Sequence, residues 1–215
     1  MTAPVPRNEA KRLKVLWQYD VLDTVPEEVF DDLTELAAYI CEAPIAMISL
    51  IDEDRQWFKA KVGVSVNETC RDISFCAHAI VNEGLFVVPD ASRDERFKHN
   101  PLVTADPRIR FYAGAPLITP DGHAMGTLCV LDKVPRALRP EQEKALRVLA
   151  HHVMTQLELR RHARELAQAH RNGHEVRNEL GEARAEIAKL RRELARFRAK
   201  ARPARRKLVK KTRRF

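Results

Sequence analysis

The chain has 215 residues, enough for one ordinary domain and some additional elements, and its apolar content of 45% is sufficient for a real core. It contains neither an apolar run of about 18 residues nor an apolar leader core, which excludes a membrane-spanning helix and an export signal from the expectation and places the protein in the cytoplasm. The net charge of +8 is unevenly distributed: residues 1–160 carry 19 Lys and Arg against 24 Asp and Glu, whereas residues 161–215 carry 19 against 6.

Asn8 suits the cap of a first helix reaching about residue 22, with Leu13, Leu16, Trp17 and Val21 on one side. Pro26 suits the first turn of a second helix over 26–42, where Glu27 and Glu28 complement the positive end of the helix dipole. Val29, Phe30, Leu33, Leu36, Ala37 and Ile40 form its expected buried stripe. Pro44 begins a strand over 45–52, dense in apolar and β-branched side chains, with 55–63 returning beside it after the turn Asp52-Glu53-Asp54. Residues 65–72 read as loop. Ser74 caps a helix to about residue 83, and 86–88 is a short strand. A long connection over 90–108 carries one helical turn at 95–98, and ordered connections of this length tend to be functional. A second hairpin, 109–118 with 125–132, turns at Pro120-Asp121-Gly122. Helices before, within and after five or six antiparallel strands give an α+β class.

From Pro140 the pattern is helical, with Leu146, Leu149, Val153 and Leu157 as its first stripe. Val176, Leu180, Ala183, Ile187, Leu190, Leu194 and Phe197 then recur at alternate spacings of four and three, the seam of a coiled coil, so a homodimer through this helix is expected. The register weakens near Asn172-Gly173, where a stutter or break is expected. Pro203 is expected to end the helix and leave 203–215 as a disordered basic tail. Residues 196–215 contain no acid, and Arg205, Arg206, Lys207, Lys210, Lys211, Arg213 and Arg214 are its candidate contacts for a polyanion: nucleic acid, anionic membrane or acidic protein. The domain reading is therefore 8–160 globular, 161–202 coiled-coil helix and 203–215 tail.

The four cysteines, Cys41, Cys70, Cys76 and Cys129, lack C-x-x-C spacing and read as reduced thiols. Cys76-x-His78 with Cys70 nearby lacks a fourth ligand at a usual spacing, so no metal site is assigned. Thiol chemistry is expected if the helix packs beside the strand holding Cys129 so that Cys70, Cys76 and Cys129 converge, with Cys70 and Cys76 the favoured pair and Arg71 supplying positive potential; otherwise the cysteines are small apolar filler. No nucleophile elbow, phosphate loop or paired-carboxylate signature appears. The reading favoured by the set of residues over 74–132 and before it is a small-molecule pocket. Trp57, Phe58, Phe75, Phe97, Phe111 and Tyr112 supply its walls, and Arg71, His78, Asp94, Asn100 and Arg110 its polar groups.

Residues 8–161 resemble a bacterial GAF domain. The resemblance is carried, in order, by NEAKRL at 8–13, VLDT at 21–24, FDDLT at 30–34, SFCAHAI at 74–80, IRFYAGAPL at 109–117 and MGTLCVLD at 125–132. It implies an antiparallel sheet of about six strands with helices on one face and a pocket on the other, flanking-helix dimers, and a sensory role without catalysis. Carried over by position, the pocket residues are Trp57, Phe75, Cys76, His78, Asp94, Phe97, Asn100 and Arg110. Ala77 separates Cys76 from His78, unlike the adjacent Cys-His of bilin-attaching relatives, and the N-K-F-D-E set of cyclic-nucleotide-binding relatives is not found, so no cofactor is assigned. The leading expectation is a non-enzymatic module that binds a small ligand and signals through a dimeric helix to a separate output protein such as a histidine kinase or cyclase. The alternatives are a cysteine-dependent oxidoreductase of the free methionine sulfoxide reductase type and a dimeric scaffold for a polyanion-binding tail.

Overall fold

The computed structural model describes residues 2–82 and 84–212, with side chains of the last helix described to 193 and at 196. The chain divides into two units, Met1–Arg161 and His162–Phe215. The first unit is built on an antiparallel sheet of six strands in the order β3-β2-β1-β6-β5-β4. These are β1 (Ile45–Ile51), β2 (Arg55–Val62), β3 (Glu68–Cys70), β4 (Phe86–Val88), β5 (Phe111–Ile118) and β6 (Ala124–Asp132). Strand β1 is buried along its whole length because both faces of the sheet are covered.

Side chains alternate across the pleat. On β1, Ala46, Ile48 and Leu50 face one core and Ile45, Met47 and Ile51 the other. On β6, Leu128 and Val130 go with the first set, and Cys129 and Leu131 with the second. The first core is closed by helices α1 (Glu9–Gln18), α2 (Glu28–Cys41) and the start of α5 (Pro140–Thr212), through Leu16, Phe30, Ala37, Leu146, Leu149 and Val153. The second is closed by two short helices and their loops: α3 (Phe75–Ala79) and α4 (Pro101–Thr104). Each short helix is started by a side chain. Ser74 Oγ accepts from the Ala77 amide at 3.1 Å, and Asn100 Oδ1 accepts from the Leu102 amide at 2.9 Å, with Pro101 in the first turn. Gly126 is required where β6 passes β1, since a Cβ there would collide with the Ser49 carbonyl.

The base of α5 is tied to α2 and the sheet by one carboxylate. Glu27 Oε1 accepts from Lys59 Nζ of β2 at 2.6 Å and from Arg160 Nε of α5 at 2.9 Å. Arg160 also donates to the Asp20 carbonyl at 2.9 Å, and the Tyr19 hydroxyl donates to Glu158. Lower on α5, Gln142 Nε2 donates to the Ile40 carbonyl at 3.0 Å.

Several sequence expectations are corrected. The first helix stops at Gln18, before two residues with positive φ, Asp20 and Asp23. Trp17 is 51% exposed, its Nε1 donating to Asp52, while Arg12 is buried in its place against Glu9 and the Ile51 carbonyl. On α2, Val29 and Leu36 face outward, and small residues, Thr34, Ala37 and Ala38, take the inward positions. Residues 65–72, expected as loop, contain the edge strand β3, and the helix after Ser74 lasts only to Ala79.

In the second unit α5 runs on unbroken through Asn172-Gly173. Pro203 does not end it, and its backbone is helical to Thr212. Proline in a helix interior costs about 3 kcal/mol; the residues around it, Ala199, Ala201 and Ala204 among Lys and Arg, are strong helix formers that add no further penalty. The side chains of Arg205, Arg206, Lys207, Lys210 and Lys211, and the whole of Arg213 and Arg214, lie outside the described set. Leu166, Val176, Leu180, Ile187 and Leu190 are about half exposed or more along this unit. No helix among the described residues is long and apolar enough to cross a membrane.

Candidate functional site

On the sheet face opposite α1 and α2 lies a cavity of about 440 Å³. Its floor is formed by alternate residues of central strands: Ile45 and Met47 of β1, Phe58 of β2, Tyr112 of β5 and Leu131 of β6. Phe75 and Cys76 of α3 form one wall, and Leu102 with Ile109 another. Polar groups are few. Gln56 and Thr69 lie at one side, Gln56 Oε1 accepting from the Ser74 hydroxyl. Ser65, Asp106 and Lys133 are exposed lining residues and form the rim. An apolar interior with a few polar groups suits a small molecule with an apolar body and a polar end, and the volume falls in the usual range for such sites.

Of the eight residues expected at the pocket, Phe75 and Cys76 line the cavity. Phe97 stacks behind Phe75 with ring centroids 4.2 Å apart and is fully buried. His78 meets Phe97 edge-on at 4.7 Å, and burial, then the Arg96 charge, lowers its proton affinity. Asp94 accepts from Arg96 at 2.6 Å, which holds its carboxyl below the usual range and lays the guanidinium over Phe86 at 4.7 Å. Asn100 caps α4 and also donates to the Ile73 carbonyl at 2.9 Å, tying the start of α4 to the 3-10 turn that precedes α3. Arg110 Nη1 donates to the Val103 carbonyl at 2.9 Å, at the far end of α4. His78, Asp94, Phe97, Asn100 and Arg110 thus surround the wall elements rather than the cavity. Trp57 lies on the helix-covered face, as does Phe111 of the wider set. Arg71 is held by Glu9 Oε1 at 2.6 Å, which also bonds Arg12.

The strand residues Met47 and Gln56, Ile109 just before β5, and the rim residues Asp106 and Lys133 are lining residues that the sequence expectations do not include. For Ile45 and Met47 a signal existed: alternation from Ile48, had its face been known. For Asp106 and Lys133 none did, because only the tertiary fold brings them to one opening.

Tyr112 is the most connected group of the floor. Its hydroxyl donates to Cys76 Sγ at 3.3 Å and lies 3.5 Å from Thr127 Oγ1. Gly114, two residues along β5, leaves room for that hydroxyl, which a Cβ would strike. Cys76 Sγ is 3.6 Å from Cys129 Sγ. Burial opposes ionisation of both thiols; the hydrogen bonds from Cys129, Ser49, Thr127 and Tyr112 outweigh it at Cys76, which becomes the more acidic sulfur, while Cys129 is pushed well up.

Residues 25–157 match the GAF domain family. The chain is 44% identical over 145 residues to the cyclic di-GMP phosphodiesterase PA2567 of Pseudomonas aeruginosa, an alignment covering 67% of this chain and 25% of that protein. The chain therefore spans about a quarter of that relative's length. Among solved structures it is similar to the GAF domain from a phosphoenolpyruvate-protein phosphotransferase of Coxiella burnetii, at a TM-score of 0.54 and 18% identity, covering 75% of this chain and 97% of that one. It is also similar to the GAF domain from the Acinetobacter phosphoenolpyruvate-protein phosphotransferase, at 0.52 and 18%, covering 72% and 95%. At that identity the structural likeness speaks for the fold. With the family match extending over more than half of the sequence, and the sheet, its helix layer and its opposite-face cavity in place, this chain belongs to the GAF domain family.

Proposed function

We propose that the protein is a cytoplasmic, non-enzymatic sensory module in which a small ligand with an apolar body occupies the cavity and biases the pairing of helix α5 between two copies. The observation that carries this reading is the alternation on β1 and β6. Ile45, Met47 and Leu131 line the cavity, while their immediate neighbours Ala46, Ile48 and Val130 belong to the core that seats Leu146, Leu149 and Val153 of α5. A displacement of these strands by a ligand is felt on the helix side through rigid, close-packed contacts. Glu27, bonded to both β2 and Arg160, adds a polar connection. The half-exposed stripe Val176, Leu180, Ile187 and Leu190 is what a second copy would cover. A ligand changes the output only through its different affinity for two states, and a tenfold shift takes about 1.4 kcal/mol of that difference.

Catalysis is assigned to a separate partner. The Pseudomonas relative is named for cyclic di-GMP phosphodiesterase activity, and the aligned stretch is a quarter of it. That association supports an output in second-messenger signalling; the separate cyclase or histidine kinase as partner is our proposal. The basic residues after 196 give the module a contact for a polyanion, weakened by salt. The experiment is native mass spectrometry of the protein purified from its own cytoplasm, beside a Val64→Trp variant that fills the cavity. A dimer carrying a small added mass, absent from the variant, is expected. Bare chains in both samples would refute the ligand reading.

A further inference from the structure

The second core is almost wholly apolar, yet its centre holds a group of thiols and hydroxyls, two of whose members, Cys76 and Tyr112, also line the cavity. Cys76 on α3 and Cys129 on β6, 53 residues apart in sequence, place their sulfurs 3.6 Å from each other. The Tyr112 hydroxyl reaches Cys76 Sγ at 3.3 Å, and Thr127 Oγ1 is 3.2 Å from Ser49 Oγ just beyond. Neither cysteine is in a disulfide. If the two were filler, Ala or Val would serve without burying this many polar hydrogens. Both residues are buried, but they differ in position: Cys76 lines the cavity and Cys129 does not.

We propose that Cys76 is an oxidation site for small hydroperoxides entering the cavity, and that Cys129 resolves the product as an intramolecular disulfide. The Cys76 thiolate attacks the terminal peroxide oxygen; an S–O bond forms, the O–O bond breaks, and the leaving hydroxide or alkoxide takes up the thiol proton as water or alcohol. Cys129 sulfur then attacks the Cys76 sulfur; the S–S bond forms, the S–O bond breaks, and hydroxide leaves with the Cys129 proton as water. The two thiols lose two electrons and the peroxide gains them. The Tyr112 hydroxyl and the Cys129 thiol supply the donors that favour a thiolate at Cys76, with no nearby cation required. The sulfurs must close from 3.6 Å to about 2.05 Å, a movement that draws α3 against β6. The proposal rests on the cavity's geometry and is independent of which ligand occupies it. It also departs from the pairing favoured by sequence, since the partner of Cys76 is Cys129 and not the exposed Cys70.

The test is a peptide map of the full chain after hydrogen peroxide treatment, alkylation of remaining thiols and digestion with trypsin without reduction. Cys70, Cys76 and Cys129 fall in separate tryptic peptides, residues 62–71, 72–93 and 111–133. The expected result is a linked 72–93/111–133 species that becomes the main form of both peptides and disappears with dithiothreitol. In Cys129→Ala, the expected result is loss of that species and capture of a Cys76 sulfenic acid by dimedone; in Tyr112→Phe, linking slows severalfold. The wild-type map decides alone, without any variant. If Cys76 and Cys129 remain alkylatable while Cys70 is oxidised, or if Cys76 links to Cys70, the proposal is overturned.

Discussion

Replacing Glu27 by Gln removes one charge from the junction of β2, α2 and α5 while keeping the shape and the acceptor oxygen. Lys59, whose side chain is fully buried, retains the Thr24 hydroxyl at 3.0 Å and the Val25 carbonyl at 2.8 Å but loses its counter-charge. Breaking a buried pair costs about 3–5 kcal/mol and an exposed one at most about 1. Glu27 is one-third exposed, so water screens part of the interaction, and the kept acceptor retains another part; a loss of about 2 kcal/mol follows. For a chain of this size that corresponds to a fall of about 4–8 °C in Tm. The dependence on pH is specific. Burial alone would raise the Glu27 carboxyl, but Lys59 and Arg160 outweigh it and hold it below its ordinary 4.5. Its contribution is therefore complete above about pH 4.5 and is lost as pH falls through the lower folded value. Urea denaturation at a series of pH values should show the full gap between wild type and variant near neutrality and its closure in acid. A gap below about 0.5 kcal/mol at pH 7, the size of an ordinary surface change, or one constant down to acid, would refute the reasoning.

Phe97→Ala removes a fully buried ring stacked on Phe75 and should cost about 3–5 kcal/mol by urea denaturation. Asn100→Ala removes the α4 cap and leaves the Ile73 carbonyl without its donor, for a loss of about 2 kcal/mol by the same measurement. Leu180→Lys combined with Ile187→Lys places charges in the exposed apolar stripe of α5; sedimentation is expected to show a dimer for the wild type and monomers for the variant, with the thermal transition of residues 1–161 unchanged.

What was legible in the sequence follows how local each determinant is. Strands β1 and β6 stand out because apolar, β-branched runs of that length have few other uses, and the β5–β6 hairpin carries its own turn, closed by the Thr119 amide on the His123 carbonyl at 3.0 Å. Strand β3 has three residues and exists because the edge of β2 offers it partners, Arg55 opposite Cys70 and Trp57 opposite Glu68; no periodicity can report that. Trp17 is exposed against expectation and Arg12 is buried, because Arg12 finds Glu9 three residues away and the Ile51 carbonyl 39 residues away. A buried guanidinium is intelligible only once that second partner is known. On α2, Thr34 takes an inward position because its hydroxyl is satisfied by the Phe30 carbonyl at 2.8 Å, letting the helix lie close on the sheet. The wall residues Phe75 and Cys76 were legible as a motif on a capped helix. The polar groups of Asp94, Asn100 and Arg110 are used in capping and pairing around the cavity, whereas the His78 ring packs on Phe97 with its Nε2 buried and without a hydrogen-bond partner among the described residues. The convergence of Cys76 with Cys129 was conditional in the sequence on the helix packing beside the strand, and only the fold selects Cys129 over Cys70 as the neighbour of Cys76.

The central claim, that occupancy of the cavity biases the pairing of α5, is tested most directly by pulsed electron paramagnetic resonance between spin labels at Ala185→Cys in a Cys70→Ser background. Label-to-label distances are compared for protein carrying its retained ligand and for the same chain with Val64→Trp, which excludes the ligand. A shift of the distance distribution between two discrete populations is the predicted result, and identical distributions in the filled and ligand-bearing proteins would contradict the account.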